Sequence, residues 1–147
     1  MHDSGQFRVV AWWSSDRNGI TKSASAPNAI HFTSPPAFGG VDGRWTPEDL
    51  LLASIASSYT TTFRMLAENS EFEHTDLQVE VEGIISSSQT GYSFAEVRIH
   101  ASLMIPHEEE QARALKLLHS ARRMCGVSHA LAVPQIFEPL VTVAVPV

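Results

Sequence analysis

Two alternating runs in the middle of the chain limit its fold more than any other feature. Residues 77–84 read Leu-Gln-Val-Glu-Val-Glu-Gly-Ile, with apolar and polar side chains in turn. Successive side chains of a strand point to opposite faces, so this run has one dry face and one wet face. A turn at Gln89-Thr90-Gly91 follows, then a second alternating run over about 93–105 that Pro106 ends. The dry face of such a pair must be covered by something. The chain supplies a helical pattern on each side, over about 47–69 and 107–124.

The first of these helices has the clearest start in the chain. Thr46 is a good N-cap, Pro47 fits the first helical position, and Asp49 stands three residues after Thr46 as a capping-box partner. Glu48 and Asp49 place negative charge at the positive end of the helix dipole. Leu51, Ile55, Ser58, Thr62 and Met65 share one face at helical spacing. The small side chains of Ala53-Ser54-Ile55-Ala56-Ser57-Ser58 let another backbone come close. In the second helix, Ala112, Leu115, Leu118 and Ala121 or Arg122 line one side, and Glu108-Glu109-Glu110 favours its dipole.

The flanking segments read as strands. Residues 7–15 are rich in Val and Trp, and Asn18-Gly19 is a strong hairpin signal. Further strands are expected over about 20–26, 29–32 and 137–145. Pro35-Pro36 and Gly39-Gly40-Val41-Asp42-Gly43 interrupt regular structure, and a helical turn is expected over 128–132 with Ser128 as its cap. Trp12 and Trp13 are adjacent, so they face opposite sides of a strand; one belongs to the core, and the other borders a pocket or a dimer contact. The resulting class is α+β, an antiparallel sheet with two main helices in two layers.

With 147 residues, the chain suits a single domain, 1–147, with a real core. Its net charge of −6 argues against nucleic acid and anionic membrane surfaces as partners. No run nears the roughly 18 apolar residues of a membrane span. Met1-His2-Asp3-Ser4-Gly5 lacks the pattern of a signal peptide. The seven histidines show no ligand spacing, and there is no Cys-x-x-Cys, so neither a metal nor another cofactor is expected. The one cysteine, Cys125, cannot close an internal disulfide, which suits a reducing, cytoplasmic location.

Thr46-Pro47-Glu48-Asp49-Leu50 and Cys125-Gly126-Val127-Ser128-His129-Ala130-Leu131 together carry a resemblance. The first is similar to the helix start of the OsmC/Ohr family (osmotically inducible protein C, organic hydroperoxide resistance). The second resembles that family's second-cysteine motif, Cys-x-Val-Ser-x-Ala-Leu. The strand order agrees too, so the resemblance covers nearly the whole chain. It implies an OsmC-like fold, an intertwined homodimer, and descent from thiol-dependent peroxide reductases of the oxidative stress response. The family's first, attacking cysteine falls ten residues after the helix-start glutamate. Here that position is Ser58.

Two more site residues come with the resemblance. Arg17 corresponds to a hairpin arginine that orients the peroxide and supports the thiolate, and Glu48 to the glutamate that holds it. A guanidinium near a thiol lowers its pKa. Ten residues of helix separate Glu48 from Ser58 by roughly 15 Å, so a site bordered by both needs segments from two subunits.

Three readings follow for this set of Cys125, Ser58, Arg17 and Glu48. One is a peroxidase with weak or lost turnover, working with Cys125 and an external thiol reductant on a hydroperoxide. Another is a non-catalytic dimer that binds a small apolar molecule. The third, a hydrolase using Ser58, has neither a Gly-x-Ser-x-Gly elbow nor an assignable His/Asp partner. Ser58 also reads as an ordinary packed helix residue, and Cys125 as a buried small hydrophobe behind a helix C-terminus whose dipole disfavours a thiolate. His129, four residues after Cys125, is a base by position or an inert surface histidine.

Overall fold

The computed structural model describes residues 5–89 and 91–145. Thr90 of the expected turn and the N-terminal residues 1–4 lie outside them. The chain divides into two compact units, Met1–Leu51 and Leu52–Val147.

The first unit is a three-stranded antiparallel sheet in the order β1 (Val9–Ser15), β2 (Asn18–Ser23), β3 (Ile30–Phe32). Its hairpin turns two residues earlier than Asn18-Gly19 suggests. Asp16 and Arg17 make the turn, Asp16 with a φ of 44°, while Asn18 and Gly19 already belong to β2. A register shift between Trp13 and Ser15 accommodates this. Gly19 is needed for a different reason. A Cβ there would lie 2.3 Å from the Phe32 ring, so the glycine lets that ring cover the backbone of β2. Thr33 anchors the loop that follows: its buried hydroxyl donates to the Arg17 carbonyl at 2.7 Å and accepts from Val41 N–H at 3.2 Å. Neither Trp12 nor Trp13 is core within the chain. Both are exposed, Trp12 at 46% and Trp13 at 56%.

Helix α1 (Pro47–Asn69) begins as its capping box dictates. Thr46 Oγ1 accepts the Asp49 N–H at 3.1 Å, and Asp49 Oδ2 accepts the Thr46 N–H at 2.9 Å. Its buried stripe is Ile55, Tyr59, Phe63 and Ala67, one position round from the expected face. The bulky aromatics claim the core, leaving Leu51, Ser58 and Thr62 half-buried and Met65 exposed.

The second unit holds the sheet β4 (Asp76–Ser88), β5 (Gly91–Ile105), β6 (Gln135–Val143). β4 and β5 are antiparallel, as the alternation requires, with Glu80 opposite His100. β6 departs from the expected all-antiparallel sheet by running parallel to β5. A parallel pairing needs a crossover, and α2 (Gln111–Met124) provides it. Alternate residues of β5 (Val97, Ile99, Ala101, Leu103 and Ile105) are buried, together with the α1 stripe and Ala114, Leu118 and Ala121 of α2. Ala112 and Leu115 are exposed, so the buried side of α2 is also turned from the expected one. Glu108–Glu110 form a short 3-10 turn ahead of α2. The opposite, wet face of the sheet carries a polar chain: His100 lies 2.7 Å from Glu82 and 3.7 Å from Glu138. No helix among the described residues is long and apolar enough to cross a membrane.

Candidate functional site

The only thiol in the chain sits where α2 ends and a four-residue helix, α3 (Gly126–His129), begins. Cys125 has extended backbone angles, φ −70° and ψ 101°, and closes one helix while opening the next. The sequence places Ser128 as the cap of a later turn. The chain instead turns helical at once after Cys125, and Ser128 lies inside α3, buried. This changes the electrostatics. The negative end of α2 disfavours a thiolate, but the first amides of α3 oppose it.

Ser58, on α1, reaches the same point from across the core. The thiol Sγ of Cys125 donates to Ser58 Oγ at 3.3 Å, over a sequence separation of 67 residues. Cys125 is 1% exposed and Ser58 half-buried, which makes Ser58 the member of the pair nearer the surface. Burial alone pushes the Cys125 thiol up. The Ser58 hydroxyl, the amide and hydroxyl of Ser128, and the Val127 amide all favour the charged sulfur, and together they bring the thiol below its ordinary value. The neutral thiol makes no cap hydrogen bond to the short helix, so the Ser128 and Val127 groups matter once the sulfur is ionised, whereas Ser58 already meets the thiol.

Around this pair lie residues that the sequence reading did not place at a site. Tyr59, next to Ser58, is fully buried and donates its hydroxyl to the Leu118 carbonyl at 2.9 Å. Burial drives its pKa well above the usual range; the Cys125 charge adds to that and Arg122 opposes it, so Tyr59 stays a neutral phenol. Arg122, in the last turn of α2, donates from Nη1 to Ser128 Oγ at 3.3 Å, and Ser128 donates to the Cys125 carbonyl at 3.1 Å. Gln135 Nε2 donates to the Ser128 carbonyl at 2.8 Å. The signal for Arg122 and Ser128 was their place three residues either side of Cys125; sequence spacing alone does not reveal that they join. His129 hydrogen-bonds through Nε2 to the Arg123 carbonyl.

The structure therefore brings Ser58 and Cys125 together. Arg17 and Glu48 belong to the first unit. Arg17, at the hairpin turn, donates from Nη1 to the Gly39 carbonyl at 2.8 Å, and Glu48 is half-buried in the first turn of α1.

A paired helix and sheet of this topology, with a thiol on a short turn facing α1, defines a class of protein that comparison identifies. A family model described as OsmC-like protein matches residues 40–138. The chain belongs to the OsmC-like family. An uncharacterized protein of Bacillus subtilis (strain 168), YmaD, is 27% identical over 128 residues, covering 85% of each chain. Among solved structures, an OsmC-like protein of unknown function from Vibrio cholerae superposes with a TM-score of 0.80 at 14% identity, over 93% of this chain and all of that one. An organic hydroperoxide resistance protein from Elizabethkingia anophelis gives 0.75 at 20% identity, over 98% of this chain and all of its own. OhrB of Bacillus subtilis gives 0.66 at 18%, over 94% and 98%. At these identities the structures speak for the fold.

Proposed function

We propose that this chain is an OsmC-like relative of the thiol peroxidases in which Ser58 holds the place of the attacking cysteine. Two-cysteine turnover is weak or lost, and Cys125 is the thiol that remains. One observation carries this reading: the 3.3 Å contact between Ser58 Oγ and Cys125 Sγ, the arrangement two cooperating thiols would need. What chemistry survives is that of one sulfur. The Cys125 thiolate would attack the distal oxygen of a hydroperoxide, giving a sulfenic acid at Cys125 and releasing the alkoxide as an alcohol after protonation. No second thiol in the chain can condense with the sulfenic acid. A first external thiol would form a mixed disulfide with loss of water, and a second would release Cys125 as a thiol and leave as the external disulfide. A serine hydroxyl cannot take the attacking role, because it has no corresponding redox ladder.

Arg17 and Glu48 complete the proposal as the hairpin guanidinium and its carboxylate anchor, supplied in a homodimer by shared segments of two copies. Exposed aromatics in the first unit support association, since Phe7 is 91% and Trp13 56% exposed in the chain alone. The proposal also takes the chain as one domain and its location as cytoplasmic, in keeping with an unpaired cysteine.

The test is hydroperoxide consumption with a dithiol reductant, comparing the wild type with Cys125→Ser and Ser58→Cys. Slow turnover is expected from the wild type, none from Cys125→Ser, and a large gain from Ser58→Cys. Mapping of oxidised Ser58→Cys should find a disulfide from position 58 to Cys125. Fast wild-type turnover that survives Cys125→Ser would overturn the reading. A position 58 thiol that stays reduced would disprove its correspondence with the attacking cysteine. No thiol-dependent turnover in any variant would leave a non-catalytic binder.

A further inference from the structure

We propose that Arg122 is a positioning residue for Cys125 and acts through Ser128. This rests on the reading of Cys125 as the working thiol, and deepens it by naming what holds that thiol ready. Hydrogen-bond arithmetic carries the inference. A serine hydroxyl has one proton and two lone pairs, whereas a guanidinium only donates. Ser128 Oγ must therefore accept from Arg122 Nη1, and its single proton is left for Cys125. In the thiol state that proton goes to the Cys125 carbonyl, at 3.1 Å. Once the sulfur is charged, a rotation of the hydroxyl offers the same proton to Sγ, and the hydroxyl then supports the thiolate. The backbone cannot drift meanwhile, because Gln135 Nε2 holds the Ser128 carbonyl at 2.8 Å. Arg122 thus has an effect on the sulfur that its bare charge does not describe.

Within the second unit, the described charged and titratable groups around the thiol come from three helices. From α1 comes Tyr59, whose hydroxyl is committed to the Leu118 carbonyl. From α2 comes Arg122, and from α3 His129, whose Nε2 is engaged with the Arg123 carbonyl. β6 contributes the neutral Gln135. Ser58 meets the sulfur directly from α1 at 3.3 Å, without Arg122 or Ser128 between them. Two routes to the thiolate therefore exist, and substitution can separate them.

The experiment is a pH titration of the thiolate by its ultraviolet absorbance, with the full chain, taking Cys125→Ser as the blank for tyrosine. Arg122→Met and Ser128→Ala should each raise the midpoint by roughly one pH unit, the order expected for loss of one hydrogen bond to a charged group. Their combination should shift it no further than either alone. Arg122→Lys, which can still donate to Ser128, should recover part of the shift. Ser58→Ala should add its own shift in full to that of Arg122→Met. Thermal unfolding checks that each variant is folded; a purely structural loss would lower that transition and leave the midpoint where it was.

An Arg122→Met shift that persists undiminished in the Ser128→Ala background would show the charge acting directly, and would overturn the inference alone. So would a lowered wild-type midpoint that neither substitution moves. A wild-type midpoint at or above the ordinary thiol value, about 8.5, would remove the working thiol itself and the inference with it.

Discussion

The two sheets of this chain draw on similar side chains and treat them in opposite ways. In the second unit, β5 places Val97, Ile99, Ala101, Leu103 and Ile105 on one face, each at most 1% exposed, beneath α1 and α2 side chains. In the first, Val9, Val10, Trp12 and Trp13 of β1 are between 46% and 71% exposed. Burial of this kind stabilises the second sheet from within the chain, whereas exposed aromatic side chains of the first are the surface on which the proposed association would act. The contrast teaches where stability and where association should reside. The thiol site falls on the self-sufficient side: Ser58, Tyr59, Arg122, Cys125 and Ser128 all lie in the second unit.

The largest effect should come from opening the covered core. Phe63 is fully buried, packs among Tyr59, Ala67 and Leu118, and meets the His74 ring edge-on at 5.4 Å. Phe63→Ala should cost about 3–5 kcal/mol in denaturant unfolding, from lost burial and the void left behind. A loss below about 1 kcal/mol would mean that the second unit does not carry the stability assigned to it.

Much of this division was legible beforehand. The alternation at 77–84 and 93–105, the Thr46 cap and the length of α1 follow from local rules, and the structure realises them with small changes. What escaped was whatever depended on competition between distant groups. Leu51 and Met65 satisfy helical spacing as well as Tyr59 and Phe63 do, but only the facing sheet decides which stripe is buried. Periodicity does not encode strand direction, so the parallel β6 was invisible. The hairpin moved because Asp16 accepts a positive φ and Gly19 was needed beneath Phe32. At the site, the motif pointed to Ser58 and Cys125; the Arg122–Ser128 link needed three dimensions.

The second effect should appear at the uncovered sheet and be read as association. If Trp12 and Trp13 faced only water, replacing either by Ala would change stability by less than about 0.5 kcal/mol and leave the mass in solution unaltered. In the proposed dimer, at least one substitution should raise the dissociation constant tenfold or more, about 1.4 kcal/mol, as sedimentation on dilution would show. A wild-type chain that stays monomeric at micromolar concentration, with both variants neutral, would break the contrast at its weaker end.

The smallest effect probes whether the two regions are energetically joined. Thr46 lies in the first unit, but the helix it caps supplies Ile55, Tyr59, Phe63 and Ala67 to the core of the second. Thr46→Ala removes the Oγ1 that accepts the Asp49 N–H at 3.1 Å, while Asp49 Oδ2 keeps its bond to the Thr46 N–H at 2.9 Å. Half of the capping box survives, and the half-buried position lets water meet the freed amide. The expected cost is therefore about 1 kcal/mol and no more. Thr46→Ser, which keeps the acceptor, should recover most of it. Where that cost appears decides the issue. Carried into the main unfolding transition, it would mean that α1 joins the two units in one cooperative structure. Faster hydrogen exchange confined to the amides just after Pro47, with the transition unmoved, would mean that the first turn frays by itself and that the second unit stands without it.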